Sequence, residues 1–213
     1  MSELETRQLL VKLLRDFHDR GWISGTGGGI CGPSDGPGLL MAPTGVHKEL
    51  VQTDELFTID PADNAVLVAP AREGLRPSEC GPIFSHIARE RGVRSVVHTH
   101  ALSAVLFGDL AEGGDRVRVE RLEMLKGIRG FANTDVHDVP VIRNTPREME
   151  LVENVARAIA DPRFARAYAV VVEDHGVYVW GQDVMEAKRH TETYHFLFEA
   201  TVARHDRRWR DRP

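Results

Sequence analysis

Apolar positions near the N-terminus recur at helical spacing: Leu9, Leu10, Leu13, Leu14 and Phe17 fall on one stripe. Ser2 and Glu5 stand ahead of it at the spacing of a capping box, and Gly21 closes it. From Trp22 to Gly45 the helical period vanishes and glycines cluster. Ile30 and residues 39–42 predict short strands joined by a turn region at 33–38, and residues 55–60 and 65–69 predict a hairpin around 61–64. A helix is expected over 78–91 with Ser78 as its cap, then a strand over 94–98 and a short helix over 101–109. Residues 117–130 fit no single period. A strand is expected at 139–142. Thr145-Pro146-Arg147-Glu148 then reads as a helix start, running to about Ala160. Residues 168–173 are apolar and β-branched, hence a buried strand. It leads through Asp174-His175-Gly176 into a second strand at 177–180, and a long helix follows from about 183 to 205. With no repeat, linker or low-complexity segment, the pattern describes one mixed α/β domain over residues 1–213.

Composition narrows the setting. A chain of 213 residues is long enough to bury a core without staples. A formal net charge of -5, with no block of Lys or Arg, argues against an extended nucleic-acid footprint. Two cysteines, Cys31 and Cys80, suit free thiols in a reducing compartment. No signal-peptide centre lies in residues 1–20, and no apolar run is long enough to span a bilayer. The expectation is a soluble, cytoplasmic protein.

The candidate chemistry centres on Val96-Val97-His98-Thr99-His100. In a strand, His98 and His100 share a face and can grip one cation from a single side. A third ligand is needed. His175 ends a second buried strand and precedes Gly176, which permits close approach; its rivals are His190 and His195, five apart on a helix. Gly25-Thr26-Gly27-Gly28-Gly29 offers backbone N–H groups suited to an anion, yet it is neither a Walker loop nor a dinucleotide fingerprint. Pro43-Thr44-Gly45 and Pro77-Ser78-Glu79 have the same character. Three anion-friendly turns beside a metal point to a small phosphorylated substrate. An acid/base is also required. Glu123, flanked by apolar residues, is expected to be partly buried with a raised pKa, although Glu120 and Glu73 remain alternatives on residues alone.

Seven segments in order resemble the class II aldolase and adducin head family. They are Ser24-Gly25-Thr26-Gly27-Gly28-Gly29-Ile30, Ala42-Pro43-Thr44-Gly45-Val46, Arg76-Pro77-Ser78-Glu79-Cys80, His98-Thr99-His100, Glu123-Met124-Leu125-Lys126-Gly127-Ile128, Asn144-Thr145-Pro146 and His175-Gly176-Val177-Tyr178-Val179-Trp180-Gly181. The glycine loop, the Pro-Ser-Glu-Cys segment and the Glu-Met-Leu-Lys-Gly-Ile segment are similar to the dehydratases of the family rather than to its sugar-phosphate aldolases. The resemblance implies a class II aldolase-like α/β fold with a central mixed β-sheet flanked by helices. It implies Zn2+ held by His98, His100 and His175, and Glu123 as acid/base. Thr26, Gly27, Gly28, Thr44, Gly45 and Ser78 would hold a phosphate, and Cys80 would line the pocket. The implied reaction is loss of water from a methylthio-substituted ketose phosphate by a homotetramer with sites near subunit interfaces. Aldol cleavage or epimerisation of another sugar phosphate, or a non-catalytic adducin-like module, are the alternatives. Two positions depart from the family pattern: Cys31 stands where a serine is usual, and Leu122 where a polar residue is expected.

Overall fold

A computed structural model describes residues 1–210, with side chains at all but 148 and 207–210. Helix α1 (Glu3–Asp19) is built as its pattern predicts: the Glu5 N–H donates to Ser2 Oγ while the Ser2 N–H donates to Glu5 Oε2. Beyond Gly21 come β1 (Gly29–Pro33), β2 (Leu39–Met41), and the hairpin of β3 (Phe57–Ile59) and β4 (Val66–Val68). Next are α2 (Gly81–Arg91), β5 (Ser95–Thr99) and α3 (Leu102–Asp109). The ambiguous stretch resolves into β6 (Arg116–Glu120) and a 3-10 turn, Glu123–Gly127. β7 (Val136–Ile142), α4 (Glu148–Ala160), β8 (Ala169–Val172), β9 (Gly176–Gly181) and α5 (Val184–Arg210) complete the order.

Two expected helix starts move. Helix α2 begins at Gly81, not Ser78, with Pro82 in its first turn. Ser78 instead accepts from the Cys80 N–H at 3.3 Å and heads the turn closed by the Gly81 N–H on its carbonyl, which leaves its side chain facing a cavity. Helix α4 begins at Glu148 because the Thr145 hydroxyl donates to the Arg147 carbonyl, a local bond that holds the preceding turn out of the helix.

The nine strands form one sheet in the order β4-β3-β2-β1-β5-β9-β8-β7-β6. Every neighbouring pair is antiparallel except β7 and β8, which α4 joins as a crossover; the sheet is therefore mixed, as expected. On one face, Ile83, Phe84 and Ile87 of α2 and Leu151 and Val155 of α4 cover Val96, Val170, Val172, Tyr178 and Trp180. On the other, Leu10, Leu14 and Phe17 of α1 cover Ile30 and Val97, while Phe107 of α3 and Tyr194 and Phe198 of α5 cover Val171, Val177 and Val179. Both faces are dry, so β8 and β9 are apolar at every position rather than alternating. Among the described residues no helix is long and apolar enough to cross a membrane.

Candidate metal centre and substrate cleft

β5 and β9 lie side by side at the middle of the sheet, with His98 opposite Tyr178 and Thr99 opposite Val177. That register brings the end of β5 level with the turn that enters β9, and His175 occupies this turn. The approach is tight. A Cβ on Gly176 would collide with the Thr99 carbonyl and lie 3.2 Å from the His100 Cα, so the position excludes any side chain. The expectation that Gly176 admits a close neighbour is met, and the neighbour is backbone.

The three imidazoles converge. His98 Nε2 lies 2.9 Å from His100 Nε2 and 3.2 Å from His175 Nε2, and the latter two are 3.1 Å apart. Strand parity carries His100 to the same side as His98 even though β5 ends one residue before it. Hydrogen bonds on the far side of two rings fix their tautomers. His98 Nδ1 donates to the Val177 carbonyl at 3.1 Å, and His175 Nδ1 donates to Asn144 Oδ1 at 3.2 Å. That Asn144 oxygen also accepts from the Thr145 N–H at 2.9 Å, which sets the amide orientation. With Nδ1 protonated in both rings, their Nε2 lone pairs face each other with no hydrogen between them. Such an arrangement repels unless a cation sits in it. Three nitrogens on one tetrahedral ion at about 2.0–2.1 Å lie roughly 3.3 Å apart, close to the spacing found here.

Electrostatics favour the neutral form of His98 and His100. Burial, then the neighbouring His100 and His175, push His98 well below the ordinary imidazole range. His100 falls to about 4 through desolvation, His175 and Lys48. Tyr178 stacks flat on His98, ring centroids 4.0 Å apart. Among the described residues these three form the one group of His, Cys, Asp or Glu able to share an ion.

Both rivals for the third ligand are occupied elsewhere. His190 bonds the Trp180 carbonyl through Nδ1 at 2.8 Å and the Arg129 N–H through Nε2 at 3.2 Å. His195 bonds Thr99 Oγ1 and Ser103 Oγ, both at 3.0 Å.

The cleft has two lobes that meet at His100, Ser78 and Glu79. The first, about 260 Å³, is lined by Thr26, Gly27, Gly28, Thr44, Gly45, Lys48, Arg76 and Cys80. All seven residues expected around the substrate are there. The glycine loop also packs on the triad: a Cβ on Gly27 would stand 2.5 Å from His100 Nδ1, and one on Gly28 2.8 Å from the His98 carbonyl. Two cations also line this lobe: Arg76, present in the sequence only as the head of the Arg-Pro-Ser-Glu-Cys segment, and Lys48, which no pattern marks. Lys48 is 3% exposed. Its ammonium donates to the Thr26 carbonyl at 2.8 Å and the Val46 carbonyl at 3.2 Å, which leaves one of its three N–H groups for the cavity. The second lobe, about 730 Å³, runs past His175 to Asn144, Pro146, Arg147 and Met149, with Pro77 and Pro82 opposite. Glu79, named beforehand only within its motif, borders both lobes.

Glu123 departs from expectation. Its side chain is 68% exposed, and Lys126 at 2.6 Å and Asn133 at 2.7 Å hold its carboxyl below the usual carboxylate range rather than above it. It lines neither lobe. Leu122 explains its outward direction: that residue is buried with Leu125 beneath α5, where a polar side chain would be costly. Cys31 is likewise sealed in the core, where burial pushes its thiol up to about 12, so it contributes no polar group to the cleft.

Comparison with known proteins agrees with this geometry. The model of the Class II Aldolase and Adducin N-terminal domain matches residues 8–202. A methylthioribulose-1-phosphate dehydratase of Aquarana catesbeiana is 38% identical over 202 residues, covering 92% of this chain and 83% of that protein. A probable bifunctional methylthioribulose-1-phosphate dehydratase/enolase-phosphatase E1 of Oryza sativa subsp. indica is 35% identical over 210 residues; the match covers 93% of this chain but 40% of that longer protein. The fold is shared with the L-fuculose-1-phosphate aldolase of Thermus thermophilus, at a TM-score of 0.72 and 20% identity, covering 99% of this chain and 100% of the other. The chain belongs to the class II aldolase and adducin N-terminal domain family, and within it to the methylthioribulose-1-phosphate dehydratases.

Proposed function

We propose that this chain, as one domain in a cytoplasmic homotetramer, removes water from 5-methylthioribulose 1-phosphate in methionine salvage. The product is 5-methylthio-2,3-diketopentyl 1-phosphate, and the cofactor is Zn2+ on His98, His100 and His175. The observation that carries the reading is the union of the three converging Nε2 atoms with a cationic, hydroxyl-lined lobe directly beside them.

The residues divide the work along the substrate. Thr26, Thr44 and Ser78 offer hydroxyls to the phosphate, the backbone at Gly27, Gly28 and Gly45 lets it approach, and Lys48 and Arg76 balance its charge. Cys80, at the edge of the same lobe, gives the sugar chain a small apolar wall. His98, His100 and His175 would hold the ion, which would supply the Lewis acidity that makes the proton beside the ketone, on carbon 3, easier to remove. Glu123 takes that proton and returns it to the carbon 4 hydroxyl, which leaves as water. The enol left between carbons 3 and 4 then tautomerises to the diketone. Because Glu123 lies outside the cleft of its own protomer, we assign it to the cleft of a neighbouring copy.

Product analysis tests the reaction. With the methylthio ketose phosphate as substrate, the expected product has lost one water, and its formation stops when a chelator strips the protein. A three-carbon phosphorylated fragment would identify an aldolase instead, and an isomer of unchanged mass an epimerase. No turnover by metal-loaded protein would leave only a binding module.

Lys48 offers a separate check on the phosphate lobe. A hydrogen bond to a charged group contributes about 1.5–3 kcal/mol. Lys48→Met is therefore expected to raise KM roughly 10- to 100-fold while bound metal stays at the wild-type level, measured by steady-state kinetics beside elemental analysis. An unchanged KM would place the phosphate elsewhere.

A further inference from the structure

We infer that His195 is a positioning residue for the metal centre: it ties together both ends of the turn that carries His100. The inference rests on the metal-binding reading of the triad, but it concerns residues that touch neither ion nor substrate.

The ligand most in need of support is His100. His98 lies within β5 and is held by strands on both sides, whereas His100 falls between the end of β5 at Thr99 and the start of α3 at Leu102. Helix α3 has Ala101 as its N-cap residue and no side-chain cap bond. The turn is braced instead from α5. One nitrogen of His195 bonds Thr99 Oγ1, immediately before His100, and the other bonds Ser103 Oγ, three residues after it. A neutral imidazole has one donor and one acceptor, so one hydroxyl receives a hydrogen bond and the other gives one. Burial pushes His195 down to about 3, and the ring therefore keeps this neutral, two-sided form at ordinary pH. Trp22 completes the brace. Its ring stacks on His195 with centroids 4.2 Å apart, and its carbonyl accepts the His100 N–H at 2.8 Å. The backbone of His100 and the hydroxyls on either side of it are thus held by two residues that pack on each other.

Removing the clamp without touching the ligands separates positioning from folding. The metal-free full chain is titrated with cobalt(II), its affinity measured by competition with a chelator and its geometry read from the visible ligand-field bands. The double variant Thr99→Val/Ser103→Ala is expected to bind cobalt about 10- to 100-fold more weakly, with shifted bands. The conservative Thr99→Ser is expected to behave as wild type. His195→Gln, which keeps reach toward Thr99 alone, is expected to fall between. Wild-type affinity and bands in the double variant would overturn the inference, whatever its thermal stability. If the unaltered chain takes up no cobalt, the metal reading and this inference fall together; if it does and the double variant matches it, only the inference falls.

Discussion

Replacing His175 with alanine is expected to leave the protein folded, nearly free of metal, and slower by at least about a thousandfold. The triad offers one nitrogen from each of three rings, and two of these, His98 and His100, come from a single strand end. Without His175 the remaining pair is an open bidentate site, a poor competitor against chelators and buffer for a divalent ion. A Lewis acid at a developing enolate is worth several kcal/mol, and each 1.36 kcal/mol is a factor of ten in rate, so loss of the ion alone accounts for the thousandfold. Folding should survive because His175 sits in a partly exposed turn whose backbone is fixed by the close packing of Gly176 on Thr99. Elemental analysis of purified protein reads the result. A full complement of zinc in the variant would remove His175 from the ligand set, whereas His190→Ala should retain its metal, since both nitrogens of that ring are engaged with backbone groups.

The parts of this site that were legible in the sequence are those that obey a period. His98 and His100 announce themselves because strand side chains alternate, and the shared face survives although the strand ends between them. His175 is legible through Gly176, whose missing side chain signals a close approach. Lys48 is not: a lone lysine in a polar loop looks solvated, and only the folding of residues 26–48 back on themselves buries it against two carbonyls. Ser78 and Thr145 stand outside the helices they are expected to open for a related reason. Each has the right composition, but a local bond, to the Cys80 N–H in one case and the Arg147 carbonyl in the other, competes with the helix and wins. Glu123 shows the opposite error. Its apolar neighbours suggested burial, yet in a 3-10 turn residues three apart eclipse, so Leu122 and Leu125 point inward together and Glu123 points out.

That outward position makes Glu123→Gln the sharper test of mechanism. The substitution is expected to keep bound metal and thermal stability, because the side chain is largely solvated and the amide oxygen still accepts from Lys126 or Asn133. Turnover is expected to fall about 10²- to 10⁴-fold, the usual range for loss of a general acid–base. The lowered pKa does not argue against the role. Held ionised by Lys126, Glu123 enters the reaction as a base, and the proton it delivers to the leaving hydroxyl is the one it has just removed. Near-wild-type turnover in Glu123→Gln together with collapse in Glu79→Gln would move the chemistry to the carboxylate already in the cleft. Complementation decides which protomer supplies it. Glu123→Gln subunits keep an intact triad and His175→Ala subunits keep an intact Glu123. If the residues meet across an interface, co-refolding equal amounts of the two inactive variants restores about a quarter of the sites, as random neighbours in a closed ring would give. No recovery from the mixture, with each variant still assembling normally, would place acid, base and metal within a single chain.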